Sequence, residues 1–457
     1  MIFSKNELSL IFNQLVAENI NDICVNSNDA KYGDLFIALK GQKTDGHNFI
    51  HQALKNGAVL ALSEESIDNV ESSKIINVKS TQEALLQLAR YNLSRCSAKY
   101  IGVTGSVGKT TTKNLIYHLL KEKDNVYVTR KNFNSQVGLP ICAATMPTDT
   151  NIGIFEMGMS AAGEIKKLIS LVQPSISIIS KICEAHAEFF DSIWDIARAK
   201  SEIFETQKKQ EAAIIPLNSP YADFLKRKAN ENGIQNIFTF GSSNADAKVI
   251  DYSSSNNECK ISAKILGTRI ELCSSNEIFR SDSFIENCLS AILCSHIISE
   301  ISLQELADKI SSFSLPYGRG TSIHIKSRDL VLLDGSYNAC HTSTKSAIKS
   351  LAWYKNYRKI LIFGDMLELG KDEVYFHENL SPLIDKFEIN LVFACGRLAK
   401  KMFDNLQDHK KGAWCENSQD LAEKVLEKIQ NGDCILVKGS NSMKMDFIVN
   451  AIKKMDQ

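Results

Sequence analysis

Apolar runs of strand length, broken by Gly- and Asp-bearing turns, open the chain. DLFIAL (34–39), AVLAL (58–62) and KIINV (74–78) are strand candidates. STQEALLQLARYNL follows with a helical period, and Ser80 and Glu83 are spaced as a capping box. Residues 1–97 therefore read as a small α/β domain. From residue 98 to about 315 the pattern becomes an alternation of buried strands and helices. Tyr100–Thr104, Asn125–Thr129, Gly153–Glu156, Ser175–Ser180 and Ala212–Pro216 are β-rich, and 109–121 and 191–206 are helical. That alternation predicts a mostly parallel sheet covered on both faces. Within 238–280, VIDYS, KISAKIL and RIELC predict an antiparallel extension of it. A third α/β block spans 316–457, with DLVLLDG, KILIFGD, INLVFACG and DCILVKGS as its strands. The fold class is thus α/β in three domains.

Where the first strand of the second block meets its helix, the chain reads GVTGSVGKTTTK (102–113). Gly105 and Gly108 let successive backbone N–H groups turn toward an anion without Cβ clashes. Ser106, Val107 and Thr111 complete the cradle, Lys109 would neutralise phosphate charge, and the Thr110 hydroxyl is placed to hold Mg²⁺. The helix N-terminus adds its partial positive charge, while Leu115, Ile116, Leu119 and Leu120 mark its apolar face. A longer glycine consensus would start at Val103. The short form keeps the working part, which makes the second block a P-loop mononucleotide-binding domain.

Ligands of open parallel sheets collect beyond the carboxyl ends of strands. Three further strand ends carry suitable chemistry: Asn132 and Asn134 after NVYVT, Glu156 in EMG, and His186 after SISIIS. Glu156 and His186 are acceptable Mg²⁺ ligands beside phosphates, although taken singly His186 is equally a hydrogen-bonded loop histidine. On a helical wheel of DSIWDIARAKSEIF, Lys200 shares a face with Ile193, Ala197 and Phe204. One reading is a lysine that snorkels to the rim. The other is an amine of lowered pKa that CO₂ converts to a carbamate, a negatively charged metal ligand.

Composition narrows the partners. Lys+Arg and Asp+Glu both total 53, which gives no reason to expect nucleic acid or an anionic membrane. No apolar run approaches a membrane span, and MIFSKNELSL is not a signal peptide. The 12 cysteines include no C-x-x-C pair and read as reduced, mostly buried thiols of a cytoplasmic protein.

Together these motifs resemble the ATP-dependent Mur ligases of peptidoglycan synthesis. TGSVGKTTTK, the Asn132/Asn134 segment ending GLP, EMG, AHAE (185–188) and ARAK (197–200) match central-domain motifs in order. Asn287 in IENCLSAI, Arg319 in YGRG, DGSYN (334–338), GDMLELG (364–370) and KGS (438–440) continue the series. DGSYNA and GDMLELG are most similar to the branch that adds D-alanyl-D-alanine. GDLFIALKG, DGHNFI and Gly57-Ala58 resemble its UDP-sugar-binding domain.

The resemblance implies a Rossmann-like C-terminal domain and a monomer that uses ATP and Mg²⁺. It implies UDP-MurNAc-tripeptide and D-Ala-D-Ala as substrates, joined through an acyl phosphate. It implies that Lys109 contacts phosphate, that Thr110 and Glu156 hold one Mg²⁺, and that His186 and carbamylated Lys200 help hold a second. Asn287 and Arg319 would contact ATP, and Asp334 its ribose. Asn132 and Asn134 would face the substrate phosphate, and Ser27 and Asn338 would contact substrate. The chain departs from the usual family pattern at Asn26 and Asn28, at Gly335, Cys340 and His341, and at Asn441. A folylpolyglutamate-type ligase, a P-loop regulatory switch and a non-catalytic relative are the competing readings.

Overall fold

The computed structural model describes residues 1–457 except 42, 43, 186, 208, 255–258, 275–278, 280 and 457. Three sheets organise the chain. The first has four parallel strands in chain order, Asp22–Cys24, Asp34–Ile37, Leu60–Ser63 and Ile75–Asn77. Helix Thr81–Ser94 follows, with Ser80 as its N-cap accepting from the Glu83 N–H at 3.3 Å. Only half of the expected capping box forms, because the Glu83 carboxylate pairs with Arg90 at 2.7 Å instead.

The second sheet has nine strands. Its parallel part runs, in spatial order, through Asn236–Gly241, Ala212–Pro216, Ile176–Ile179, Lys99–Thr104, Ile152–Glu156 and Val126–Val128. Ala247–Ser254 joins this edge in parallel and then begins the antiparallel extension through Cys259–Ile265 and Thr268–Ser274. Lys99–Thr104 lies between the strand of 176–179 and that of 152–156. The chain leaves it toward Val126–Val128 and leaves Ile152–Glu156 in the opposite direction, toward Ile176–Ile179, so the two carboxyl ends flank the crevice where such sheets bind ligands. Val103 is fully buried inside this strand, which explains why a β-branched residue rather than a glycine stands there.

The third sheet places Leu330–Gly335, Asp433–Lys438, Arg358–Gly364, Leu391–Cys395 and Lys411–Cys415 in parallel. Thr321–Ile325 is added antiparallel at one edge. Sequence pattern alone missed this strand and Lys411–Cys415. Both are half-buried edge strands with alternating or mixed residues, and neither shows a continuous apolar run. The helix expected over 191–206 ends at Ser201 and tightens into a 3₁₀ turn over Glu202–Phe204.

The first two sheets share a core. Leu35, Leu62 and Leu88 belong to the same buried cluster as Leu139, Ala143 and Met146 of the second domain. A buried side chain fastens the junction: Asn92 donates from Nδ2 to the carbonyls of Ala143 (2.9 Å) and Met146 (2.8 Å). Among the described residues no helix is long and apolar enough to cross a membrane.

Replacing Asn92 with Ala leaves two buried carbonyls without their donor. The substitution is expected to cost about 2 kcal/mol and to lower the first thermal transition by a few degrees, as read by circular dichroism.

Candidate active site

The loop between Lys99–Thr104 and helix Lys109–Leu120 has the backbone of an anion cradle. Gly105 and Gly108 have φ of +146° and +89°, in the region that disfavours side chains. A Cβ on Gly105 would sit 2.1 Å from Ser180 Oγ, and one on Gly108 2.6 Å from Asn287 Oδ1. Gly108 caps the helix without a side-chain hydrogen bond, which leaves the first-turn N–H groups for an anion. The helix is held by its buried face, where Leu115, Ile116, Leu119 and Leu120 are fully covered. Ser106 anchors the loop by donating to the Cys183 carbonyl (2.9 Å) and accepting from the Cys183 N–H (3.1 Å).

Lys109 arches back over the cradle and donates to the carbonyls of Gly105 (2.7 Å) and Ser106 (3.4 Å). Burial pushes its pKa down and the nearby Arg319 charge adds to this, while Glu156 opposes. A cation so placed gains from any anion brought to it.

Glu156, at the end of its strand, is 2% exposed and gathers the neighbouring elements. Its Oε2 accepts from Thr110 Oγ1 at 2.9 Å and pairs with Lys113 Nζ at 3.0 Å. Its Oε1 accepts from Asn134 Nδ2 at 2.8 Å. Lys113 also donates to the carbonyls of Thr129 (3.0 Å) and Lys131 (2.8 Å), the segment that leads to Asn132. Burial alone would raise the Glu156 pKa, but Lys113 and then Lys109 outweigh it, and the carboxyl is held below its usual range. An ionised carboxylate beside a threonine hydroxyl is a hard-oxygen donor set that fits Mg²⁺. Lys113 was missed by sequence reasoning. The wheel that singled out Lys200 would have found it, one turn beyond Lys109 beside Ile116 and Leu120.

Lys200 is 1% exposed, and the inward face expected for it is observed: Ala197 and Phe204 are buried with it. Burial, and then repulsion from Lys109, drive its pKa well below the ordinary lysine value. Among the described residues it has no ion-pair partner. Snorkelling is therefore not what this side chain does. His186 lies outside the described residues.

The third domain supplies the opposite wall of a cleft of about 1140 Å³. Arg319 packs 4.0 Å over the Tyr337 ring. Asp334 is fully buried at a strand end; its Oδ1 accepts from the Ser336 N–H (3.1 Å) and hydroxyl (2.6 Å), and among the described residues its Oδ2 has no partner. Lys438, which sequence reasoning did not single out, donates to the Asn338 carbonyl at 2.9 Å. Burial pushes its pKa down to about 8. Asn441 donates to the Tyr337 carbonyl at 3.1 Å, a tie that needs no charge. Glu184 crosses from the central domain to accept from the Thr342 N–H and from its hydroxyl, the latter at 2.9 Å.

Of the residues named from sequence, Ser106 to Thr111, Asn132, Asn134, Glu156, Asn287, Arg319 and Asn338 line this one cleft. Gly105, Asp334 and Lys200 are not among its lining residues. Ser27 is elsewhere, in a short turn of the first domain where Asn26 accepts from the Asn28 N–H (3.1 Å) and Asn56 donates to the Ser27 carbonyl (2.8 Å).

Two substitutions test this geometry. Gly108→Ala should weaken nucleotide binding at least about tenfold by calorimetry, because the residue needs positive φ and the Cβ meets Asn287. Lys113→Met leaves Glu156 buried without its ion pair, at a cost of about 3–5 kcal/mol. The wild-type carboxyl titrates below its usual range, so its contribution is present above that range and lost as pH falls through the folded value. In Lys113→Met the acid limb of any Glu156-dependent nucleotide binding or activity should move to higher pH.

Three family models match the chain: "Mur ligase family, catalytic domain" over residues 19–92, "Mur ligase middle domain" over 103–295, and "Mur ligase, glutamate ligase domain" over 318–441. The UDP-N-acetylmuramoyl-tripeptide–D-alanyl-D-alanine ligase of Rickettsia prowazekii (strain Madrid E) is 35% identical, with 98% of this chain and 99% of that protein covered. Among solved structures, MurF from Acinetobacter baumannii superimposes with a TM-score of 0.87 at 24% identity over 99% of both chains. MurF ligase from Thermotoga maritima in complex with ADP gives 0.83 at 25% identity, covering 95% of this chain and 98% of that one. Similarity that runs through all three sheets and both walls of the cleft places the chain in the Mur ligase family, in its MurF-type branch.

Proposed function

We propose that this chain joins D-alanyl-D-alanine to UDP-N-acetylmuramoyl-tripeptide with consumption of ATP, a step of peptidoglycan precursor synthesis. The relative from Rickettsia prowazekii carries that activity in its name, and the Thermotoga maritima structure holds ADP. The observation that carries the reading is the meeting, in one cleft, of the phosphate cradle with its Thr110–Glu156 pair and the third domain's Arg319 and Asn338.

A carboxylate is a poor acyl donor at neutral pH and must be activated. The terminal carboxylate oxygen of the tripeptide attacks the γ-phosphorus of ATP, and ADP leaves. The dipeptide amine then attacks the acyl carbon, phosphate leaves, and the amine proton passes to solvent or a nearby base. Catalysis of such transfers is mainly positioning and charge neutralisation. Lys109 and the loop amides of Gly105–Thr111 bind the phosphates. Asn287 and Arg319 border the nucleotide, and Asp334, covered beside the cleft-lining Gly335 and with an Oδ2 unpartnered among the described residues, would meet a ribose hydroxyl only once the residues that cover it part. Asn132 and Asn134 face the transferring phosphoryl group, Asn338 the peptide, and Ser27 the UDP-sugar end.

Mg²⁺ held by Thr110 and Glu156 would supply charge neutralisation on the phosphate oxygens. Lys200, buried and of lowered pKa, is an amine able to add to CO₂; loss of one proton leaves a carbamate. That group, with His186, would hold a second cation. The domain boundaries of this reading are 1–97, 98–315 and 316–457. Closure of the third domain over the cradle keeps water from the acyl phosphate.

Phosphate release from ATP should require both UDP-MurNAc-tripeptide and D-Ala-D-Ala; release that does not depend on the dipeptide would sink the ligase reading. Lys200→Ala should lower kcat about a hundredfold or more, and bicarbonate-free buffer should lower wild-type activity. Full activity in the alanine variant removes the carbamate role.

A further inference from the structure

Two cysteines from different domains meet beside the phosphate loop. Cys183 follows the strand Ile176–Ile179, and Cys340 follows Leu330–Gly335 in DGSYNAC. Their Sγ atoms are 3.9 Å apart, and both residues are buried. Cys340 lines the cleft, whereas Cys183 lies behind it, held through its backbone by Ser106.

The two thiols are not equivalent. Cys340 is the N-cap of the 11-residue helix His341–Leu351, where the helix favours negative charge. Lys438 interacts favourably with its charge, and Lys109 with the charge of either sulfur. The hydrogen bond with Cys183 holds the Cys340 thiol below its ordinary range against burial and the nearby Glu184 carboxylate, and contacts with Ser343 add to this. The Cys183 thiol is raised. A cleft-lining thiol at a helix N-terminus with a second thiol at van der Waals distance is the arrangement of an attacking and a resolving cysteine.

We propose that Cys183 and Cys340 form a reversible oxidation site, at which a peroxide or a low-molecular-weight disulfide links the central and third domains through a disulfide. With a peroxide, the Cys340 thiolate attacks one oxygen, the O–O bond breaks, and a sulfenic acid and water result after protonation. The Cys183 sulfur then attacks the sulfenic sulfur, the S–S bond forms, and a second water leaves. The pair loses two electrons and two protons, and the peroxide gains them. With a small disulfide, Cys340 forms a mixed disulfide and releases one thiol, and Cys183 displaces the other. The sulfurs must approach by about 1.9 Å, which requires rotation of the side chains and small backbone adjustments. The product ties Ser106 of the phosphate loop, through Cys183, to the helix that starts the opposite wall. A chain so linked cannot open to exchange nucleotide and product.

A metal bridge is the other use of such a pair, since Glu184 lies near enough to be a third ligand. Both oxygens of that carboxylate already accept from Thr342, however, and leave the two sulfurs to each other.

The test uses the full chain, reduced, freed of reductant and treated with hydrogen peroxide or oxidised glutathione. Non-reducing peptide mapping should yield a linked Cys183–Cys340 pair, about 2 Da lighter than its two thiol peptides. Activity should fall about tenfold or more and return with dithiothreitol; Cys340→Ser, which lacks the attacking sulfur, should keep its activity through the same treatment, and Cys183→Ser should carry an unresolved adduct on Cys340. The mapping does not depend on the reaction catalysed, so it stands apart from the ligase reading. Failure to form the linked pair while other thiols oxidise overturns the proposal, as does a linked protein of undiminished activity. Equal inactivation of Cys340→Ser, or stoichiometric zinc in the wild type that both variants lose, would overturn it too.

Discussion

A single buried carboxylate organises the central domain. Glu156 is ionised in a place where burial opposes ionisation, because Lys113 and Lys109 stand beside it. Its four neighbours come from two segments: Thr110 and Lys113 from the phosphate-loop helix, and, from the loop after Val126–Val128, Asn134 and Thr129, whose Oγ1 accepts from the Glu156 N–H at 3.2 Å. A buried charge tolerates few arrangements, since every unsatisfied lone pair costs free energy. The cradle, the asparagine loop and the strand end are thereby set at fixed distances before any ligand arrives. That is preorganisation of the kind phosphoryl transfer uses most.

Around this anion the cleft collects cations. Lys109 and Lys438, which line it, and Lys200, buried outside its lining but repelled by Lys109, are each destabilised as ammonium by burial, and Arg319 adds repulsion to Lys109 and Lys438. Such a cluster is at odds with itself until polyphosphate enters, so binding relieves repulsion as well as forming contacts. Because Lys109 and Lys438 belong to different domains, the same anion that calms the cluster would also favour approach of the walls. Nucleotide binding and the proposed closure would in this sense be one equilibrium.

Much of this was legible in sequence because it rests on local rules. The cradle needs glycine where φ is positive, so Gly105 and Gly108 announce it. Strand ends carry polar residues where a parallel sheet binds ligands, so Asn134 and Glu156 could be named. Lys200 was found from helical period alone. What escaped notice depends on pairing across the fold. Lys113 looks like an ordinary helix lysine until its partner is known. Asp334 was named only through the resemblance, and the Ser336 bonds that occupy its Oδ1, with Oδ2 unpartnered among the described residues, show only in the fold. Lys438 takes its character from its surroundings, and Glu184 finds Thr342 across 158 residues of chain. Edge strands such as Thr321–Ile325 lack the buried pattern that marks a strand, since one side of them faces solvent.

The core shared by the first two domains, fastened by Asn92, has a consequence for which substrates fit. The turn that holds Ser27 and the loop that holds Lys109 belong to domains joined by that core, so their separation would stay fixed under any movement of the third domain. Such a joined pair acts as a ruler. A substrate gripped at its nucleotide-sugar end presents its far carboxylate to the phosphates only if the intervening peptide has the matching span. Length selection would then be a property of two rigid domains, and the mobile wall would be left to judge the incoming amine.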